Sequence, residues 1–162
     1  MRRTAIAANV RYRAEVQPGE RTELRLLMEL SALRRLADRG LSDQELALVR
    51  KLADDTVRAA RSGDILGYLR ADMVFHLYLL ELTGDPAVTE IARLLLAPDR
   101  LCAPRAGEPG YLMTHQAREH RQLSGLLADG MVSAADHLLR LHLSRSSAGW
   151  PTPARVAGQN GA

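Results

Sequence analysis

Residues 70–84, RADMVFHLYLLELTG, place two demands on any fold. Val74, Phe75, Leu77, Leu79 and Leu80 make the stretch apolar enough for a buried helix, yet Asp72 and His76 interrupt it four residues apart. Four residues on an α-helix turn through about 400°, so the two polar side chains share a face, one turn above the other. A buried carboxylate and a buried imidazole each need a partner. Asp72 and His76 are therefore expected to face a common polar site inside a helical core.

The rest of the chain supplies helices for that core. With 162 residues, 46% hydrophobic and only 4% aromatic, it suits one helical domain better than a β-sandwich. ERTELRLLMELSALRRLADR, residues 20–39, carries Leu26, Leu27, Leu30, Leu33 and Leu36 at helical spacing, and Gly40 is the stop. SDQE at 42–45 is a capping box, Ser42 with Glu45, opening a second helix that runs to about Ser62 before Gly63. A third is predicted from Asp64 to Thr83, bent near Gly67, and a fourth from Pro86 to about Cys102. APRAGEPG, residues 103–110, is a long loop, followed by helices at about 111–129 and 133–146. No strand pattern and no internal repeat is visible. The spacing predicts an all-α antiparallel bundle of about six helices at residues 20–147. An irregular arginine-bearing tail at 1–19 and a flexible tail at 148–162 flank it.

Charge is unevenly placed. The first 21 residues hold five arginines against two glutamates, and the remainder holds 17 basic and 17 acidic residues. The pI near 9.5 thus belongs to the tail, and the neutral body lacks the net charge of a nucleic-acid surface. Duplex DNA should bind weakly at most, through the tail. There is no membrane-length apolar run and no secretory signal, and Cys102 is alone, so a cytoplasmic protein without disulfides is expected.

His120 in AREHRQL and His142 in LLRLHLSR also lie among leucines at helical spacing, so both are expected to face inward. With Asp72 and His76 they make one carboxylate and three imidazoles on three helices, a set from which bundle cores build metal sites. These ligands suit zinc, nickel, iron or manganese without selecting among them. Taken singly, such a histidine is more often a satisfied core residue. His115 and His137 each precede an inward histidine by five residues, about 140° around the helix, and read as solvated.

At several separated points the chain resembles the FCD domain, the C-terminal effector-binding helical bundle of FadR-type regulators in the GntR family. ELRLLMELSALRRLADRG, GDILGYLRADMVFHLYLLELTGDP, AREHRQLSGLLADG and ADHLLRLHL carry the resemblance, in order, over roughly residues 20–147. It implies that one divalent metal is held by Asp72, His76, His120 and His142. It also implies a homodimer and a small organic acid as ligand. Arg25 matches the arginine of the family's E-x-R motif, here Glu23-Leu24-Arg25, which in several members faces the central cavity. There a guanidinium would pair with the acid's carboxylate by charge-assisted hydrogen bonds. A surface ion pair between Arg25 and Glu29, four residues apart, stays equally open, with Glu23 and Glu29 as structural partners.

Two residues depart from the family: Asp85 where members often have Asn, and Met131 where they often have Asp. Both fall at helix ends and concern caps. A larger departure is that only about twenty irregular residues precede the first helix, too few for the winged helix-turn-helix expected ahead of this domain. Three functions follow. The chain is the metal-dependent, carboxylate-sensing domain of a GntR/FadR-type regulator lacking its DNA-binding half; or a stand-alone metal-dependent enzyme using the same Asp/His3 site on a small organic acid; or a dimerisation module with a structural metal. For the enzyme, Tyr68, Tyr78, Tyr111 and His115 are the only added acid–base candidates, and none lies in a recognisable catalytic motif.

Overall fold

Proline has no amide hydrogen to lose in the first turn of a helix, and Pro18 opens α1 (Pro18–Arg39). The computed structural model describes residues 18–96 and 109–149. After α1 come α2 (Asp43–Ser62), α3 (Ile65–Glu81), α4 (Pro86–Leu96), α5 (Pro109–Ala128) and α6 (Val132–Gly149), with no strand among the described residues. The bundle is all-α, as the spacing predicts. Of the fourth helix expected to Cys102, residues 97–102 lie outside the described residues, as do most of the expected loop and both tails.

Caps fix several of the boundaries. The Ser42 hydroxyl accepts from Glu45 N at 3.3 Å while the Glu45 carboxylate accepts from Ser42 N at 2.8 Å, the reciprocal box the sequence announces. Arg39, at the end of α1, donates to both Glu45 oxygens and to the Leu82 carbonyl, tying three helix ends together. These hydrogen bonds, the one from Arg39 first, hold the Glu45 carboxyl down at about 2. Gly63 closes α2 at φ 70°, a left-handed conformation that a side chain would strain. Gly67, expected as a bend, instead lies in the first turn of α3. Its N–H donates to the Asp64 carboxylate at 2.8 Å, and a Cβ there would run into that carboxylate. Asp85 caps α4, accepting from Ala87 N and Val88 N, so the cap is kept at that departure. Met131 is exposed and can offer no side-chain cap to α6.

Two helices joined by a short turn usually pack side by side. That holds for α2 with α3, α3 with α4 and α5 with α6. It does not hold for α1 with α2. Instead α1 packs mainly on α6, and α2 packs on α5 and α3. The largest cluster joins Leu30, Leu33 and Leu36 of α1 with Val49 and Ala53 of α2, Phe75 and Leu79 of α3, Leu123 of α5, and Ala135, Leu139 and Leu143 of α6. Tyr68 and Met113 belong to a second cluster between α2, α3 and α5, and Leu77, Leu80 and Ala92 to a third beneath α4. No described helix is long and apolar enough to cross a membrane.

Replacing Ser42 by Ala removes one side of the capping box. It should cost about 1 kcal/mol, which for a domain of this size lowers the melting temperature by roughly 3–5 °C. Thermal unfolding followed by circular dichroism measures it, and an unchanged melting point would show that the box contributes nothing.

Candidate metal centre

Asp72 and His76 do share one face of α3, and the packing brings His120 from α5 and His142 from α6 to the same point. Their potential ligand atoms all lie within 4.8 Å of one another. The three histidines are essentially excluded from solvent, whereas the Asp72 side chain is 20% exposed. His76 Nε2 lies 3.2 Å from His142 Nε2 and 3.3 Å from His120 Nε2, and the last pair is 3.2 Å apart. Asp72 Oδ1 is 3.4 Å from His120 Nε2 and 3.7 Å from His76 Nε2.

Each imidazole turns its other nitrogen outward to a protein oxygen. His76 Nδ1 meets Glu29 Oε2 at 2.6 Å, His142 Nδ1 meets Glu119 Oε2 at 3.0 Å, and His120 Nδ1 meets Thr56 Oγ1 at 3.1 Å. An ionised carboxylate only accepts, so His76 and His142 each carry a hydrogen on Nδ1 and turn Nε2 toward the centre. Burial, reinforced by the neighbouring imidazoles, pushes His120 well below the ordinary histidine value. Burial also lowers His142, although the hydrogen bond to Glu119 opposes it. Both rings are therefore neutral near pH 7, the form in which imidazole ligates.

This donor set fits a metal. With zinc–nitrogen bonds of about 2.0–2.1 Å, tetrahedral angles put ligand nitrogens about 3.3–3.4 Å apart, close to the spacing here. The outward partners are of the kind that orient ligating imidazoles. Asp72, His76, His120 and His142 together could hold a metal ion.

Arg25 forms the ion pair with Glu29 that the four-residue spacing allows, Nε to Oε1 at 2.7 Å, but the pair is buried rather than on the surface. Burial alone would raise the Glu29 carboxyl. His76 and Arg25 outweigh it and hold it at about 2. On the other side, Glu119 Oε1 accepts from Arg145 and lies 3.4 Å from His115 Nδ1. His115 is thus half-exposed and turned toward Glu119, while His137 is exposed as expected.

Of the candidate acid–base groups only Tyr68 belongs to the centre. It is buried, donates to Gln116 Oε1 at 3.2 Å, and is raised well above the tyrosine norm, first by burial and then by Asp72. Burial, with Glu45 and Glu81 next, raises Tyr78, whereas Tyr111 is 81% exposed. Sequence reasoning assigned no role to Thr56, Gln116 or Glu119. Thr56 had a legible signal: it interrupts the inward stripe Val49, Ala53, Val57, Ala60 with a hydroxyl. Glu119 had a weaker one, since only the folded chain brings it against His142 and Arg145.

Residues 20–145 match the family model of the FCD domain. The chain belongs to the FCD domain family. It is 31% identical over 136 residues to the HTH-type transcriptional repressor NanR of Salmonella schwarzengrund, covering 79% of this chain and 48% of that protein. The NanR repressor of Salmonella typhimurium is 30% identical with the same coverage. The chain thus spans about half the length of the curated relatives it matches. Among solved structures, E. coli McbR/YncC has a similar fold, with a TM-score of 0.69 at 21% identity, covering 80% of this chain and 62% of that one. The metal-free FCD domain of TM0439 gives 0.64 at 20% identity, covering 82% and 89%.

Glu29 is buried against both Arg25 and His76, so removing its carboxylate takes a buried partner from each. Glu29→Leu should destabilise the FCD domain by about 3 kcal/mol or more, and the double variant Arg25→Met/Glu29→Leu should recover much of that. Urea unfolding in the presence of chelator measures both without a metal contribution. A single variant that loses under about 1 kcal/mol would contradict the buried-pair assignment.

Proposed function

We propose that this FCD domain senses a small organic acid through a bound divalent metal, as the effector-binding part of a GntR/FadR-type transcriptional regulator. The observation that carries it is the convergence of three Nε2 atoms within 3.2–3.3 Å of one another beside the Asp72 carboxylate. Nε2 of His76, His120 and His142 with an Asp72 oxygen would hold the ion. The donors do not choose between zinc, nickel, iron and manganese. Bound there, the ion would supply positive charge for a carboxylate oxygen.

Arg25 is proposed to pair with the same carboxylate while its Nε stays on Glu29. Glu29, which holds Arg25 Nε, also meets His76 Nδ1, so the guanidinium lies one residue behind a proposed metal ligand. A mono- or dicarboxylate would offset cationic charge that is costly to bury alone. Matches to repressors about twice as long support a place in transcriptional control, and a homodimer, which the family resemblance implies, is proposed with it. With 17 basic and 17 acidic residues after position 21, the domain itself is not proposed to carry the DNA contact.

Protein purified without chelator should contain one divalent ion per chain by elemental analysis, and adding metal at a hundred times its dissociation constant should stabilise stripped protein by about 2.7 kcal/mol. His120→Ala and His142→Ala should lose most of that gain, and His137→Ala should keep it. Organic acids should then raise the melting temperature of loaded protein only, and Arg25→Met should weaken the acid response without lowering metal content. A melting point indifferent to zinc, nickel and manganese would end the metal proposal. Equal acid shifts in loaded and stripped protein would end the sensing one.

A further inference from the structure

The three outward partners differ in one chemical respect. Glu29 and Glu119 are carboxylates and can only accept, so they hold His76 and His142 in a single tautomer. Thr56 is a hydroxyl, which accepts or donates according to how its hydrogen turns. The Thr56 hydroxyl oxygen lies 2.7 Å from the Ala53 carbonyl and 3.1 Å from His120 Nδ1, so when it donates to the carbonyl it can accept from Nδ1. Turning the hydrogen about the Cβ–O bond aims it at His120 Nδ1 instead, while the Ala53 carbonyl keeps its helical partner.

We propose that Thr56 is a positioning residue that makes His120 a tautomeric latch on the centre. With the ring hydrogen on Nδ1, all three Nε2 lone pairs converge and the site accepts a cation. With that hydrogen on Nε2, His120 donates inward, to Asp72 Oδ1 at 3.4 Å or to the Nε2 of His76 or His142 at 3.3 and 3.2 Å. Thr56 then donates to Nδ1. One N–H bond breaks and another forms on the same ring by exchange with water, and the net charge is unchanged. Phe75 lies against the His120 ring, centroids 4.4 Å apart and planes 32° apart, so the hydrogen moves while the ring stays in place. With a cation bound, the first arrangement satisfies every polar atom of His120 and Thr56; with none bound, the second does, and the hydroxyl at position 56 permits both. A carboxylate there would hold the site permanently in its cation-ready form, with three facing lone pairs and nothing between them.

The occupied state of this latch rests on the metal proposal above; the empty state does not. Long-range proton–nitrogen correlation spectra of protein with labelled histidines report the tautomer of each ring directly. In chelator-stripped wild type, His120 should carry its hydrogen on Nε2 while His76 and His142 carry theirs on Nδ1; adding zinc should move the His120 hydrogen to Nδ1. In competition with a chromophoric chelator, Thr56→Val, which keeps the branched shape, should weaken zinc binding about 10–100-fold, the usual effect of removing an outer partner. Thr56→Ser, which keeps the hydroxyl, should stay close to wild type. Zinc binding by Thr56→Val as tight as wild type overturns the proposal, as does a Thr56→Ser variant as weak as Thr56→Val. Absence of zinc binding in wild type removes the metal reading instead, whereas a stripped wild type with His120 already hydrogenated on Nδ1 removes the latch whether or not zinc binds.

Discussion

Three imidazole nitrogens that face one another at 3.2–3.3 Å, where water is nearly excluded, form the constraint around which this bundle is organised. Facing lone pairs repel unless a cation or a ring hydrogen lies among them, so the arrangement depends on what holds the outer nitrogens. Each outer partner comes from a different helix: Glu29 from α1, Thr56 from α2 and Glu119 from α5. The two carboxylates would themselves be costly to bury, and Arg25 and Arg145 compensate them. The ligands on α3, α5 and α6 thereby involve all the helices except α4, which packs against the side of α3.

The apolar periodicity announced this fold well. Leucines of the first helix, the Ser42–Glu45 box and Gly63 gave the boundaries of α1 and α2, since each depends only on local chemistry. Which helices pack together was less legible. Gly40 ends α1 and only three residues lead to α2, yet the two are not principal neighbours: α1 packs mainly on α6, and its leucines join a core shared with α2, α3, α5 and α6. Such a choice depends on summed surface rather than on any one turn.

The centre divides along the same line. Asp72 and His76 are four apart on one helix, so their common face followed from helical geometry. The joining of His120 and His142 to them rested on inward-facing spacing and on motif order. Arg25 and Glu29 were recognisable as a pair, but nothing in their spacing said that the pair would be buried beneath His76. Thr56 and Glu119 act across helices, over 64 and 23 residues of sequence, and no local pattern encodes such distances. Residues that hold other residues in place are harder to read from a sequence than residues that bear the chemistry.

The uneven exposure of the four ligands has a kinetic consequence. The histidines are sealed, and Asp72 alone reaches solvent. An ion would approach the three nitrogens past that carboxylate, which can shed part of the ion's hydration before the imidazoles take hold. Departure by any other route requires α3, α5 and α6 to part, a cooperative opening of the packed core. Exchange at such a centre would be governed by how often the bundle breathes as well as by how tightly the ligands bind, so residence times could far outlast those of an open surface site of equal affinity.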